Sequence, residues 1–452
     1  MVLVTTPSDP LALLRSRSYL VLLVLAAIVG VVVSAVAYFF LALVSKLQGW
    51  IFTSLPSGLG FHPEPAWWPI LPLTLAGLLV GLTLRYLPGT GGHKPAEGFK
   101  AGGAPSPAEL PSVVLAALAT LSLGVVLGPE APLIAIGGGL GVLAIRLLKR
   151  DAPARTSTVV AAAGSFAAIS TLLGSPLLGA FLLMEASGLG GAMLELVLVP
   201  GLLAAGIGSL IFIGLDAWTG LGTFSLAIPG LPHVGSPTGA EFLWALAIGV
   251  MAALLGSGIR WLGLFLQPHV ERRMVLVTPV AGLAIAGLAI AFAEGTGKSS
   301  SEVLFSGQTA LGPLVTHSAA YTVGALVLLI VCKAVAYGIS LSGFRGGPVF
   351  PAMFLGAVGG IALSHLPGLQ LVPGVAMGIG AMCAVMLRLP MTSVLLAVLL
   401  LASDGLAVTP LAIVAVVVAY VVSARLTPAP APAPGPAPET PRPAEDAVQP
   451  AS

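Results

Sequence analysis

Glu130 is a carboxylate inside an apolar part of the chain, and prolines stand at positions 129 and 132. A charged side chain at the middle of a bilayer helix costs about 2.5–3.5 kcal/mol, so such a residue is a candidate for function. Pro132 predicts that a helix begins close to Glu130, and the free N–H groups of a helix N-terminus stabilise anions. We therefore expect a pH-sensitive gate at which a halide replaces the carboxylate. The alternative is that Glu130 only caps its own helix.

The segment around Glu130 has a counterpart in the second half of the chain. Residues 128–134 read GPEAPLI and residues 347–353 read GPVFPAM, and each is followed by clustered glycines. A second pair, SPLLG at 175–179 and LPMTS at 389–393, recurs after a similar interval. Gly and Pro are frequent in membrane helices, which is the simpler explanation. Two pairs that share nearly one period instead favour an inverted repeat, with a binding site where half-helix ends meet.

The composition predicts that these segments lie in a membrane. Of the 452 residues, 57% are apolar and 8% are charged, whereas soluble domains carry about a quarter charged residues.

The net charge of +2 gives no indication of a nucleic-acid partner. Neither cysteine, 332 or 383, has the spacing of a disulfide framework or metal site, and no pair of histidines forms an H-E-x-x-H motif. We expect no metal and no cofactor.

Long uncharged stretches predict several membrane crossings, since about 20 apolar residues span a bilayer. They occupy 131–145, 156–184, 196–215, 242–259, 274–293, 346–387, 389–403 and 405–424. The first apolar run, 19–45, is too long for a signal peptide and predicts a retained helix. The segments 128–139 and 343–360 are too rich in Gly and Pro to cross as straight rods. Broken backbone at membrane depth indicates a protein-lined or water-lined pathway.

These patterns predict three regions along the chain. Residues 1–18 form a cytoplasmic N-terminal segment, since Arg15 and Arg17 precede the first apolar run. Residues 19–425 form the membrane domain, with repeat one over about 19–215 and repeat two over about 240–425. Residues 426–452 are rich in Pro and Ala, and we expect a disordered tail because they can bury little apolar surface.

Four short segments resemble the signatures of the CLC family of chloride channels and chloride–proton antiporters. LGPEAPL at 127–133 is similar to G-[KR]-E-G-P, and GGPVFP at 346–351 is similar to G-x-F-x-P. Residues 175–185 resemble P-L-x-G-x-L-x-x-x-E, and GGHKP at 91–95 occupies the place of G-S-G-I-P. The four segments keep the family order over about residues 15–425.

The resemblance implies an all-α polytopic membrane protein with a CLC-type inverted-topology repeat of tilted and broken helices. It also implies a homodimer in the plasma membrane that transports chloride or similar small anions through one pathway in each subunit, and no enzyme activity. Glu130 takes the place of the family's gate and proton acceptor. The positions implied for anion binding are Gly92, His93, Gly128, Ala131, Gly347, Val349 and Phe350.

The chain departs from the family pattern at the central anion site. Gly92 replaces a serine hydroxyl, Pro348 has no N–H to donate, and Val349 stands at the usual phenylalanine position. Tyr420 lies too early to match the family's pore tyrosine, and the Pro/Ala-rich tail begins soon afterwards. We therefore expect a weaker or differently coordinated central site.

Two cations, Arg345 directly before the second break and Lys94 in the first-half loop, are candidates for adding positive potential beside the anion path. The alternative is that either residue extends to the membrane surface, with its stem along apolar groups.

Exchangers of the family resemble one another in a second, internal glutamate, and Ala186 occupies its place here with Glu185 one residue earlier. This favours passive conduction over tight proton coupling, while a chloride/proton antiporter that uses Glu130 and Glu185 as an internal proton relay stays open. A secondary carrier for another solute is a further alternative. An intramembrane protease is disfavoured because no Ser/His or His/Glu/His arrangement has a suitable spacing.

Overall fold

The computed structural model describes residues 15–62, 65–99, 103–148, 154–188, 191–221, 228, 231, 233–401 and 405–427. Within these ranges the regular structure is helical, and the only strand-like pairing is one isolated bridge. The predicted all-α class is therefore confirmed. Most of the predicted N-terminal segment 1–18 and nearly all of the predicted tail 426–452 lie outside the described residues.

In the first half, the helices are α1 (Arg17–Gly49), α2 (Ile70–Tyr86), α3 (Leu110–Ser122), α4 (Glu130–Leu148), α5 (Ala154–Leu173), α6 (Pro176–Ser187) and α7 (Gly191–Thr219). A π-helical turn, Trp50–Ser54, and a short helix, Leu55–Gly58, prolong α1. In the second half, the helices are α8 (Gly239–Arg272), α9 (Met274–Thr296), α10 (Gln308–Thr316), α11 (Val323–Gly343), α12 (Val349–Leu363), α13 (Leu371–Leu387), α14 (Pro390–Leu400) and α15 (Gly405–Leu426).

Eight helices in the described ranges are long and apolar enough to cross a membrane: α1, α4, α5, α7, α8, α9, α11 and α15. The remaining apolar helices have 10–17 residues. This mixture of long and short helices is the one expected where some elements stop at membrane depth and point their ends at a pathway.

The order of helices in the first half recurs in the second. The pair α1 and α2 corresponds to α8 and α9, and the series α3 to α7 corresponds to α11 to α15, with α10 as an addition. The helices that begin at the breaks, α4 and α12, start at residues 130 and 349, which are 219 positions apart. Val349 is therefore the counterpart of Glu130, and only the first half carries a carboxylate at this position.

Glycines allow the helix after each break to lie directly against its successor. A Cβ on Gly137 of α4 would overlap the carbonyl oxygen of Gly164 in α5. In the second half, a Cβ on Gly356 of α12 would overlap the carbonyl oxygen of Gly378 in α13. Such close backbone contact is how small residues hold membrane helices together. It fixes the positions of α4 and α12, and with them the two helix N-termini.

Candidate functional site

The two breaks meet at Gly128 and Gly347. The N–H of Gly128 donates to the carbonyl of Gly347 at 2.8 Å, and the N–H of Gly347 donates back at 2.6 Å. This exchange forms the antiparallel bridge between the halves. The helices α4 and α12 begin two residues beyond it, so both present the free N–H groups of their first turns close to the same place.

The side chain of Glu130 lies between these helix ends and is fully buried. Its Oε1 accepts a hydrogen bond of 2.8 Å from the backbone N–H of Phe350 in α12. The N–H groups of Val349 and of Glu130 itself also interact with the carboxylate. Its Oε2 is buried without a hydrogen-bond partner among the described residues. The carboxylate thus caps a helix of the other half, and one of its two oxygens is left unpaired.

Glycine is required on both sides of this carboxylate. A Cβ on Gly128 would overlap both oxygens of Glu130, and a Cβ on Gly347 would overlap Oε2. Neither glycine has a positive φ, so the requirement here comes from the space for the carboxylate and not from backbone strain. The two motif glycines therefore form the walls of the carboxylate site.

Tyr337 supports the second break from within α11. Its hydroxyl donates to the carbonyl of Pro348 at 2.8 Å, and its side chain is fully buried. It also interacts electrostatically with Glu130 and with Arg260 of α8. Sequence patterns did not single it out because no motif surrounds it. Tyr420, in contrast, is 38% exposed on α15.

The first-half loop at 90–95 has a backbone conformation that favours glycine at two positions. Gly91 and Gly92 have φ values of 66° and 96°, a region that disfavours residues with a side chain. The Oγ1 of Thr90 donates to the carbonyl of Gly92 at 3.0 Å. A single 3₁₀ turn, Pro95–Glu97, follows instead of a helix. The loop geometry thus accounts for glycine at the position where the family signature has serine.

Gly92, His93 and Ala131 line one cavity of about 280 Å³. The other residues predicted for anion binding, Gly128, Gly347, Val349 and Phe350, surround the carboxylate. The predicted anion-binding residues thus divide between the cavity and the seat of Glu130. Polar side chains that the sequence did not indicate also line the cavity: Thr90, Glu109 and Ser165.

Arg345 joins the first-half loop to the second break. Its Nε donates to the carbonyl of Thr90 at 2.8 Å, and its Nη1 donates to the carbonyl of Phe344 at 3.1 Å. Only 4% of the residue is exposed, so the alternative of a surface side chain is wrong for Arg345. Lys94 instead forms an ion pair of 2.7 Å with Glu271, at about one-third exposure of each side chain.

Glu185 bonds across the halves to the N-terminus of α14. Its Oε1 accepts from the N–H of Met391 at 3.0 Å, and its Oε2 accepts from the N–H of Thr392 at 2.8 Å and from the Thr392 hydroxyl at 2.6 Å. The residue before α14, Leu389, has no capping side chain, whereas Ser175 caps the equivalent helix α6. Glu185 therefore does for α14 what Ser175 does for α6.

The described residues contain no group of three or more His, Cys, Asp or Glu side chains that could hold a metal ion. Cys332 and Cys383 are buried free thiols.

The sequence of residues 76–424 matches the family described as voltage gated chloride channel. The chain belongs to this family. YfeO of Escherichia coli O1:K1 / APEC, a protein named for ion transport, is 30% identical over 378 residues, which cover 82% of this chain and 84% of YfeO. YfeO of Escherichia coli O7:K1 (strain IAI39 / ExPEC) is 29% identical over 379 residues, with the same coverage.

Solved structures have the same fold at lower sequence identity. A slow cyanobacterial Cl⁻/H⁺ antiporter superposes with a TM-score of 0.73 at 19% identity, covering 90% of this chain and 94% of that one. A CLC-type fluoride/proton antiporter gives a TM-score of 0.66 at 20% identity, covering 89% and 95%. The family and the fold identify the chain as a multi-pass membrane protein for anion transport, and not as an enzyme.

Proposed function

We propose that the chain is a passive pathway for chloride or similar small anions, with Glu130 as its gate. The observation that carries the proposal is the position of this carboxylate, which accepts a hydrogen bond from the Phe350 N–H across the contact between the two halves. The negatively charged carboxylate occupies the N-terminus of α12, where a free anion could also bind. The carboxylate and the anion therefore compete for the same N–H groups.

The gate would work by exchange of one anion for another. A hydrogen bond to a charged group contributes about 1.5–3 kcal/mol, so the Phe350 N–H holds the carboxylate appreciably but not irreversibly. When the carboxylate moves away, the N–H groups of Val349 and Phe350 become free for an entering anion. Protonation of Glu130 removes the charge that these groups attract. Anion flux should therefore rise as the pH falls.

The contacts of Glu185 favour passive conduction over tight proton coupling. Both of its oxygens accept hydrogen bonds from the first residues of α14, as an N-cap does. A carboxylate that carries protons must lose such bonds each time it is protonated, which costs free energy at every cycle. Ala186, at the position of the family's internal glutamate, has no group that titrates.

The second candidate is exchange of chloride for protons through Glu130 and Glu185. One observation favours it: Glu185 is partly accessible at the end of α6, where a proton could enter. A secondary carrier for another solute is a weaker candidate, because the residues around Glu130 offer mainly backbone groups. A homodimer and contacts with membrane lipid remain predictions from the family resemblance.

The test is anion and proton flux measured together in reconstituted vesicles. We expect wild-type protein to release chloride down its gradient without driving proton uptake, and E130A to lose the dependence of flux on pH. E185Q is the matched carboxylate variant, and we expect it to keep that dependence. Chloride-driven proton uptake that disappears in both E130Q and E185Q would instead support exchange. Chloride flux that does not respond to substitution of Glu130 would refute the gate.

A further inference from the structure

Lys333 is a fully buried lysine in the middle of α11, outside the contacts that surround Glu130. A buried ammonium group costs much free energy unless its hydrogen bonds and charge are balanced. The surroundings of Lys333 must therefore compensate for its charge.

Four consecutive backbone carbonyls surround the Nζ of Lys333. Those of Glu302, Val303 and Leu304 lie at 3.0, 3.0 and 2.9 Å, and that of Phe305 lies at 3.3 Å. An ammonium group has three N–H donors, so it cannot give each of the four oxygens a hydrogen bond of its own. The oxygens thus surround a positive charge as they would surround a monovalent ion, in the manner of the carbonyl rings of cation-selective filters.

The loop that supplies these carbonyls is held in an unusual conformation. Phe305 has a φ of 57°, which is uncommon for a residue other than glycine. The N–H of Phe305 donates to the carbonyl of Gly124 at 3.1 Å, and its ring packs edge-on against Phe52. These contacts with the first half hold the loop in the conformation that turns the four carbonyls to one point.

Two further groups complete the surroundings of the ammonium. The ring of Phe354 in α12 lies 4.4 Å from Nζ, within the range of a cation–π interaction. The carboxylate of Glu302 interacts electrostatically with Lys333, and its Oε2 is buried without a hydrogen-bond partner among the described residues. The ammonium of Lys333 is therefore surrounded by backbone oxygens, an aromatic face and a nearby negative charge, all of which attract a cation.

We propose that the carbonyls of residues 302–305 and the ring of Phe354 form a monovalent-cation site that Lys333 occupies with a tethered ammonium. The side chain of Lys333 thereby holds the loop 302–305 against α11 and α12. The first turn of α12 is the one that contacts Glu130. A chain in which this side chain is shortened should bind potassium, ammonium or a small alkylammonium ion in its place. The site is independent of the gate, because it needs neither Glu130 nor an anion.

The test compares thermal unfolding of K333A in chloride salts of N-methylglucamine, sodium, potassium, ammonium and n-propylammonium. Propylammonium replaces the atoms that the substitution removes. In N-methylglucamine we expect the midpoint to fall by about 5 °C or more, since several buried carbonyls lose their partner. We expect potassium, ammonium or propylammonium to restore at least about half of that loss. Wild-type protein should not distinguish these cations.

Two variants serve as controls. K333M keeps most of the volume of the stem but leaves no room for an ion, so we expect a lower midpoint that no cation restores. Lys298 is a partly exposed lysine with one carbonyl partner, Ala320, at 3.2 Å and an aromatic ring, Tyr321, at 3.8 Å. We expect K298A to have a midpoint close to the wild-type one in every salt.

Either of two results would overturn the proposal. One is a K333A midpoint equal to that of wild type in N-methylglucamine, and the other is a lowered midpoint that none of the small cations raises. If K333A unfolds during purification, the yield of monodisperse protein in each salt gives the same comparison. A yield that improves with potassium or propylammonium supports the site, and a loss that is equal in all salts contradicts it.

Discussion

The substitution Gly347→Ala tests the gate without replacing Glu130. A Cβ at this position would overlap the Oε2 of Glu130, while the backbone of Gly347 has no positive φ that would disfavour alanine. The side chain of Glu130 would then have to leave its seat and give up the hydrogen bond from Phe350. G347A therefore resembles a chain in which the gate is held open.

The size of the effect follows from the hydrogen bond that is lost. A bond to a charged group contributes about 1.5–3 kcal/mol, and about 1.4 kcal/mol corresponds to a factor of ten in an equilibrium. We expect the open fraction to rise roughly 10- to 100-fold, up to the level of E130A. Chloride release from vesicles should increase at neutral pH and should lose most of its dependence on pH.

The controls separate the carboxylate from the backbone. Gly359 lies on the same helix, and a Cβ there would meet nothing within 4 Å, so we expect G359A to behave as wild type. In the double variant E130A/G347A the overlap with the carboxylate is absent and only a close contact of 3.0 Å with the backbone nitrogen of Ala131 is left, so we expect the flux of E130A alone. Non-additive effects of this kind identify residues that act through each other. Equal decreases in flux when G347A is added to wild type and to E130A would refute the reasoning.

Four further substitutions test the contacts around the breaks and the cap of α14. Glu185→Ala should lower the free energy of unfolding by about 2–3 kcal/mol through loss of the α14 cap while chloride flux persists; unchanged thermal stability would contradict this role. Tyr337→Phe should cost about 1 kcal/mol, since the hydrogen bond to Pro348 is lost, and denaturation in detergent would measure it. Arg345→Met should lower chloride flux several-fold, whereas Lys94→Met, which breaks a partly exposed ion pair, should change stability by about 0–1 kcal/mol. Equal flux in these last two variants would count against a role of Arg345 in the anion path.

The sequence indicated much of the site because helix ends are encoded locally. Pro132 predicts where a helix begins, and the free N–H groups of a helix end attract anions whatever the fold. The carboxylate at position 130 in an apolar segment could be interpreted in the same local way. The partner of that carboxylate could not, because Phe350 lies 220 positions further along the chain.

Other residues were missed or misplaced because their meaning depends on distant neighbours. The helical segment around Lys333 has no motif, and the carbonyls of residues 302–305 are backbone groups that any sequence could supply. The sequence left Arg345 open as a surface residue, since a single cation next to a break gives no measure of its burial. The sequence left Glu185 open as an internal proton relay, and its capping of α14 is visible only once the halves are packed together.

The amino-acid sequence by itself determined that this chain enters a membrane, that its two halves repeat, and that a helix begins near residue 130. These features depend on hydrophobicity and on Gly and Pro, whose effects extend over a few neighbouring residues. The tertiary structure alone decided which groups meet: Gly128 with Gly347, Glu130 with Phe350, and Lys333 with four carbonyls. Such meetings depend on how helices far apart in sequence pack against one another, and spacing along the chain does not encode that geometry.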